Sequence, residues 1–397
     1  MLDLALPVRP TLLTIDLDAV RHNARRLKDH AAGALLMAVI KANAYGLGAV
    51  PVAKALETAG ADWFGVALVT EAVQLRSQGI EAPVLVLGPS NPEECPLILK
   101  HGITPALYSM AFLEALEAAA ADRGVSAQVH LKVDSGMGRL GFREEALPDL
   151  LAALRRSPHV KVDGIFSMLA SADEPQARQN AGQIDAFNHI LETLRKGGLD
   201  PSWTHMANSA ASLALPGARF NLIRPGLALY GILPSGELPA IGLQPALRFQ
   251  TVLAQVKDLP PGSAVGYSAT YVTKERKRIG ILPVGYADGL RRSLGGQKGH
   301  VLIQGKRCPI LGRVSMDLTA VDLDPVPEAE EWETVTLWGG EGEEAITPAD
   351  WASWSGTIPY EVTCSIGPRV ARQYRYKGKN YIDWPLVSAE FMNCYAA

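Results

Sequence analysis

Between Leu35 and Gly226, short apolar runs alternate with helical segments eight times, which leaves few folds open. The runs are Leu35–Lys41, Trp63–Leu68, Pro83–Gly88, Ile103–Tyr108, Ala127–Asp134, Val160–Leu169, Trp203–Asn208 and Phe220–Arg224. The first, apolar throughout from Leu35 to Ile40, reads as a fully buried parallel strand. The segments between the runs carry helix signals. "SMAFLEALEAAAADRG" opens at Ser109, a good N-cap, and closes at Gly124, a good C-cap. "QIDAFNHILETLRKGG" gathers Ile184, Phe187, Ile190 and Leu191 on one face and ends in basic residues before Gly197. A further helix, Ala19–His30, precedes the first of these strands. Strand–helix alternation requires a parallel sheet with right-handed crossovers. Eight units suggest a (β/α)8 barrel of the TIM type, with an open doubly wound sheet as the other option.

The chain has 397 residues, which is long for one core, so two domains are expected. The pattern changes near Leu243. "LRFQTVLAQVKDLP", "KRIGILPVGYADG", "HVLIQGKRCPILGRVSMDLTAVDL" and "ETVTLWGG" are β-branched runs cut by Gly, Pro and Asp, the texture of a mostly β domain. The expected division is a barrel over 12–243 and a β-rich domain formed by 1–11 and 244–397. A net charge of −3 gives no electrostatic footprint for nucleic acid. Cys95, Cys308, Cys364 and Cys394 stand apart, without the spacing of a zinc site or a disulfide scaffold. The N-terminal "MLDLALPVRP" lacks a signal-peptide pattern, and no apolar run is long enough to span a bilayer, so a cytoplasmic protein without membrane partners is expected.

A barrel places its chemistry at the C-terminal ends of its strands. Lys41 ends the first run, either as a strand-end ammonium reaching water or as a desolvated amine able to condense with a carbonyl. In "VHLKVDSGMGRLGF", period two puts His130, Lys132 and Asp134 on one face, and Arg139 follows. The charges inside such a strand need pairing or neutralisation. "THMANSAAS" ends the seventh run with His205, Asn208 and Ser209. "NLIRPGLALYG" ends the eighth with Arg224, Gly226 and Leu227. Asn208-Ser209 opening a helix, and the backbone exposed at Gly226, suit a phosphate. A phosphate at one side and a lysine amine at the other fit pyridoxal 5'-phosphate. The competing motif is Gly136-Met137-Gly138-Arg139-Leu140-Gly141, a dinucleotide-like G-x-G-x-x-G with Asp163 about twenty residues on.

These residues resemble the alanine racemase family, the fold type III pyridoxal-phosphate enzymes. The resemblance runs through "VIKANAYGLG", "HLKVDSGMGRLGF", "THMANSAA", "IRPGLALYG", "VGYSATY", "PVGYADG", "LGRVSMD" and "IPYEVTCSIGPRV". It implies a barrel plus a β-domain, and a cytoplasmic homodimer whose active sites draw on both subunits. It implies interconversion of L- and D-alanine by two-base proton transfer, supplying D-alanine for peptidoglycan. The alternatives are a broad-specificity racemase, a fold type III decarboxylase, and a non-catalytic pyridoxal-phosphate carrier.

By matching position, Lys41 and Tyr267 are similar to the family's two catalytic bases, Tyr267 coming from the partner subunit. Tyr45, Ser209, Gly226 and Tyr360 are similar to its cofactor-phosphate ligands, with His205, Asn208 and Leu227 in the same cofactor site. Arg224 takes the position that faces the pyridine nitrogen. Arg139 takes the one that contacts the ring hydroxyl and the substrate carboxylate. Met316 and Tyr286 match the residues that line the substrate side. Lys132 is similar to the family's carbamylated lysine. Two positions depart from the pattern: Met168 where the family usually has histidine, and Ser315 where cysteine is common.

Overall fold

The computed structural model describes residues 9–340 and 344–383; residues outside these ranges include Cys394. It contains two compact units. One runs from Ala19 to Gln244, and the other takes the described residues up to Asp18 and from Pro245 onward.

A first strand, β1 (Leu12–Asp16), belongs to the second unit. The barrel strands of the first unit are β2 (Leu35–Val39), β3 (Trp63–Val66), β4 (Val84–Val86), β5 (Thr104–Leu107), β6 (Ala127–Lys132), β7 (Val160–Phe166), β8 (Trp203–His205) and β9 (Leu222–Ile223). Neighbours from β2 to β8 pair in parallel, and β9 pairs in parallel with β2. The ring closes between β9 and β8, where Asn221 N and Arg224 N donate to the carbonyls of Thr204 and Ala207. The Asn221 side chain also accepts from Thr204 N at 2.8 Å. This is the barrel, not the open sheet. Met37, Trp63, Leu85, Ala106, Phe166 and Leu222, one from each of six strands, pack together in its interior.

All eight expected strands are present and all stop early. Lys41, Asp134, Asn208 and Arg224 lie just beyond strand ends, on the turns that leave the barrel. The expected helices form as well. Met110–Arg123 is capped by Ser109, whose Oγ accepts from Phe112 N at 3.2 Å, and ends at Gly124 with φ 62. Arg178–Lys196 buries Phe187, Ile190 and Leu191 and stops at Gly197.

The second unit is a ten-stranded sheet with short helices. Strand β1 lies inside it, antiparallel to Leu247–Val252 and parallel to Ala371–Tyr376. That pairing carries residues 12–18 into the β unit, where the sequence division began the barrel at residue 12. Among the described residues, no helix is long and apolar enough to cross a membrane.

Candidate active site

Lys41 follows β2 by two residues and is half-buried. The next four residues, Ala42, Asn43, Ala44 and Tyr45, have φ values of 53, 52, 54 and 59: a left-handed turn without a glycine. That conformation costs about 1–2 kcal/mol per residue, so the surroundings must hold it. Glu71 does much of this. Its Oε1 accepts from Ala42 N at 2.6 Å, and its Oε2 accepts from Ala67 N and Leu68 N at 2.8 and 3.2 Å. Asn43 braces the start of the following helix, its Oδ1 accepting from Ala49 N at 2.8 Å. The turn fixes the backbone beside Lys41 and sends Tyr45 into the barrel mouth, where it is buried.

Tyr45, Ser209 and Gly226 converge there. A Cβ on Gly226 would lie 2.0 Å from the Tyr45 hydroxyl, so only glycine permits that approach. The Ser209 Oγ accepts from Gly226 N at 2.8 Å and from Ala228 N at 3.3 Å. Asn208 caps the helix that begins at Ser209, its Oδ1 accepting from Ala211 N at 3.0 Å. Leu227 opens the short 3-10 turn that follows. Hydroxyls and backbone N–H groups gathered in this way form a donor set suited to a phosphate.

Strands β2 and β9 are joined at their C-terminal ends, Val39 N donating to Pro225 O at 2.9 Å. Lys41 and Arg224 therefore leave the same edge of the barrel. Arg224 is almost fully buried. Its Nη1 donates to His205 Nδ1 at 2.8 Å, and its Nη2 donates to the carbonyls of Ser167 and Met206 at 2.8 and 3.0 Å. Among the described residues, nothing accepts from its Nε. Burial pushes its pKa down to about 9, which leaves it charged at neutral pH. The Met168 Sδ lies 4.0 Å from Arg224 Nη2, so the methionine fills the space beside the guanidinium with a weak acceptor.

His205 and His130 continue the chain, His205 Nε2 to His130 Nδ1 at 2.8 Å. Both rings are buried. Burial, reinforced by the Arg224 charge, pulls His130 down to about 3 and His205 well below its ordinary value, so both are neutral. The His205 ring stacks on Phe166 with centroids 4.9 Å apart.

Lys132 is buried too, and among the described residues it has no carboxylate or hydrogen-bond partner. Its Nζ sits 4.4 Å from the centre of the Phe166 ring. Burial, then the charges of Arg224 and Arg139, hold its amine well below the usual lysine range. Asp134 does not pair with it. The Asp134 carboxylate turns to its own loop and accepts from the N–H groups of Gly136, Met137 and Gly138. Burial alone would raise its pKa, but those N–H donors bring it below the usual carboxylate value. The G-x-G-x-x-G loop is thus wound around a side chain, and these N–H groups are not offered to a phosphate. Arg139, exposed on that loop, lines a small depression with Lys132, Ser167 and Met168.

In the second unit, Tyr267, Tyr286 and Met316 lie on neighbouring loops, and all three are exposed. Tyr286 N and Ala287 N donate to the carbonyls of Ser315 and Met316 at 3.0 and 3.1 Å. Arg313 Nη1 donates to Ser268 Oγ at 2.9 Å, tying the Tyr267 loop to the same segment. Asp288, fully buried, anchors the group. It accepts from Arg9, Arg369 and Gly285 N, and Arg369 also pairs with Asp317 at 2.7 Å. Tyr360 stands in the helix Pro359–Cys364, half-buried.

Two family models cover most of the chain: the alanine racemase N-terminal domain over residues 15–234 and the C-terminal domain over 246–374. The chain belongs to the alanine racemase family. It is 42% identical over 368 residues to the alanine racemase of Symbiobacterium thermophilum, covering 92% of this chain and 97% of that one. It is similar to the crystal structure of alanine racemase from Bacillus anthracis with bound L-Ala-P, with a TM-score of 0.90 and 37% identity over 96% of this chain and 99% of that one. The alanine racemase from D-cycloserine-producing Streptomyces lavendulae matches with a TM-score of 0.88 and 38% identity, over 94% and 98% of the two chains.

Within this alanine racemase family member, Glu71 matters although no motif marks it, and His130, marked in the fifth run, gains a role. Glu71 stands in a helix and gives no local signal, yet it holds the turn at Lys41. His130 carries the hydrogen-bond chain from Arg224 one residue deeper than His205.

Proposed function

We propose that the chain interconverts L-alanine and D-alanine with pyridoxal 5'-phosphate, supplying D-alanine for peptidoglycan, in the cytoplasm and as a homodimer. The observation that carries this reading is Arg224: a buried cation with its Nε left without an acceptor, leaving the same barrel edge as Lys41. The residues fit the cofactor. The hydroxyls of Tyr45 and Ser209, with the backbone N–H groups of Gly226 and Leu227, would hold the phosphate, Gly226 N–H exchanging its bond to Ser209 Oγ for one to the ligand, and Asn208 orients Ser209. Tyr360 is assigned to the same phosphate. Arg224 would face the ring nitrogen, backed by His205, and Lys41 would bind the aldehyde carbon. When bound, the cofactor acts as an electron sink that makes the α-proton of the amino acid removable.

The chain's own groups then do the proton work. Lys41 takes the α-proton from D-alanine on one face. Tyr267 of the partner subunit takes it from L-alanine on the other. Each returns a proton from its own face, so the substrate need not turn over. Arg224 keeps its own proton at neutral pH, so it withholds a full positive charge from the ring and limits side reactions. Arg139 would hold the substrate carboxylate, with Tyr286 and Met316 of the partner subunit at the substrate's open side. Lys132 would carry a carbamate, replacing an unpartnered buried amine by an anion that orients Arg139. The exposure of Tyr267, Tyr286 and Met316 on adjoining loops supports shared sites.

The test is a chiral assay. Cofactor-loaded protein given L-alanine should form D-alanine and reach a near-equal mixture, with no released carbon dioxide. Carbon dioxide release would make it a decarboxylase. Cofactor binding without turnover would make it a carrier.

A further inference from the structure

The opposite end of the barrel holds a cavity that the reaction does not use. It has a volume of about 500 Å³ and is lined by Trp63, Trp203, Asp163, Gln128, Arg76 and Glu81, among others. These residues stand at or near the N-terminal ends of the strands, away from Lys41 and Arg224. The N-terminal end of such a barrel is ordinarily a matter of packing and stability. A cavity in the small-molecule range, about 300–1,000 Å³, calls for a different explanation.

Three features define what it would take. The first is a carboxylate. Strand β7 pairs Val162 with Val129 and then Gly164 with His130, so Asp163 is the extra residue of a bulge. Bulges re-aim side chains, and this one brings Asp163 to the cavity wall. Among the described residues, the half-buried Asp163 carboxylate has no hydrogen-bond or ion-pair partner.

The second feature is aromatic. The rings of Trp63 and Trp203 meet edge to face, with centroids 6.0 Å apart. Trp63 is locked from behind by the His130 ring at 4.8 Å. Tryptophan faces attract cations more strongly than other aromatic faces do.

The third feature is that the cation already present is occupied. Arg76 donates to the carbonyls of Ile80, Ala82, His101 and Gly102. Its guanidinium ties together the loops that lead into β4 and β5 and does not serve as an anion receptor. With Glu81 and Asp163 beside it, the charged lining carries one net negative charge.

We infer that this cavity is a binding site for a small organic ammonium ion, seated against the two tryptophans with its charge on Asp163. It lies within one unit and does not depend on the reading of the active site.

The probe is choline, compared with its neutral isostere 3,3-dimethylbutan-1-ol, by titration calorimetry and tryptophan fluorescence on cofactor-loaded protein. Choline should bind saturably, one per chain, with the isostere at least about tenfold weaker, since only the cation gains from the ring faces and the carboxylate. Asp163→Asn, nearly isosteric, should weaken choline about tenfold while alanine turnover stays unchanged. Trp203→Phe should weaken choline less, because it keeps a ring. Equal binding of choline and the isostere would overturn the proposal. So would choline binding that is indifferent to Asp163→Asn, or the absence of saturable choline binding in the unmodified protein.

Discussion

Arg224 donates to Nδ1 of His205, and that single bond at 2.8 Å fixes the proton on both histidines behind it. Arginine cannot accept, so His205 Nδ1 must, and the His205 proton resides on Nε2. Nε2 then donates to His130 Nδ1, which leaves the His130 proton on its own Nε2. No polar atom among the described residues accepts it; the Trp63 ring packs beside it. The chain works only with both rings neutral.

Stability should therefore fall as acid charges these histidines. Both folded values lie below the unfolded one, so the unfolded chain binds protons first. Their contribution is complete above about pH 6.5, the ordinary histidine value, and is lost as pH falls toward about 3. Thermal unfolding followed from pH 7 to 4 should show this loss, and His130→Asn should flatten it. An unchanged slope in His130→Asn would mean that His130 does not carry the effect.

Asp288 is predicted to be the strongest single anchor of the second unit's loops. Removing its charge strands two arginines, Arg9 and Arg369, around a buried position. Asp288→Asn should cost about 3 kcal/mol in stability. It should also raise KM for alanine more than the cofactor dissociation constant, because the loops of Tyr286 and Met316 loosen. Burial alone would raise the Asp288 pKa, but Arg9 and Arg369 hold it low, so this stability is present above about pH 4 and lost below. Denaturant titration and steady-state kinetics check both statements.

How much of this was legible in the residues differs from strand to strand. Each barrel strand was readable because it is an apolar run bounded by turn signals. Their ends were not, because Lys41, Asp134, Asn208 and Arg224 continue the pattern in sequence while the backbone has already turned away. Nothing in Ala42, Asn43 and Ala44 announces a left-handed turn; only asparagine tolerates it well, and the turn is held by Glu71, 29 residues on from Ala42. The glycine-rich loop imitates a dinucleotide motif for a similar reason. Its N–H groups do bind an anion, but that anion is Asp134. No strand is expected at residues 12–16, and the barrel bounds take them in, because sequence adjacency cannot reveal that their partners are Leu247–Val252 and Ala371–Tyr376.

Lys132 should carry a carbamate. Burial and two arginine charges favour its neutral amine, the form that attacks carbon dioxide, with loss of one proton. Intact mass measured in bicarbonate buffer should exceed that in carbon-dioxide-free buffer by one carbon dioxide. Lys132→Ala should lose about 1 to 2 orders of magnitude in kcat, as loss of a group that positions a substrate-binding residue does. Added acetate should return part of it. Identical masses and no acetate response would leave Lys132 as a bare amine.

Met168 should slow one direction more than the other. Its sulfur beside Arg224 Nη2 is a weak acceptor that cannot donate, so it cannot link the guanidinium to a tyrosine. Met168→His should raise the L-to-D rate near neutrality and shift the basic limb of that profile to lower pH. Matching profiles in a variant that folds and binds cofactor would show that Met168 is packing alone.

The central claim is that two different residues, Lys41 and Tyr267, serve opposite faces of the substrate. Exchange of the α-proton in deuterated water, followed by NMR for each enantiomer separately, tests it most directly. In Tyr267→Phe, D-alanine should keep exchanging with its configuration retained, while exchange from L-alanine falls by at least about 2 orders of magnitude, the usual size of a general-base contribution. Equal loss of exchange from both enantiomers, or continued exchange from L-alanine, would contradict the account.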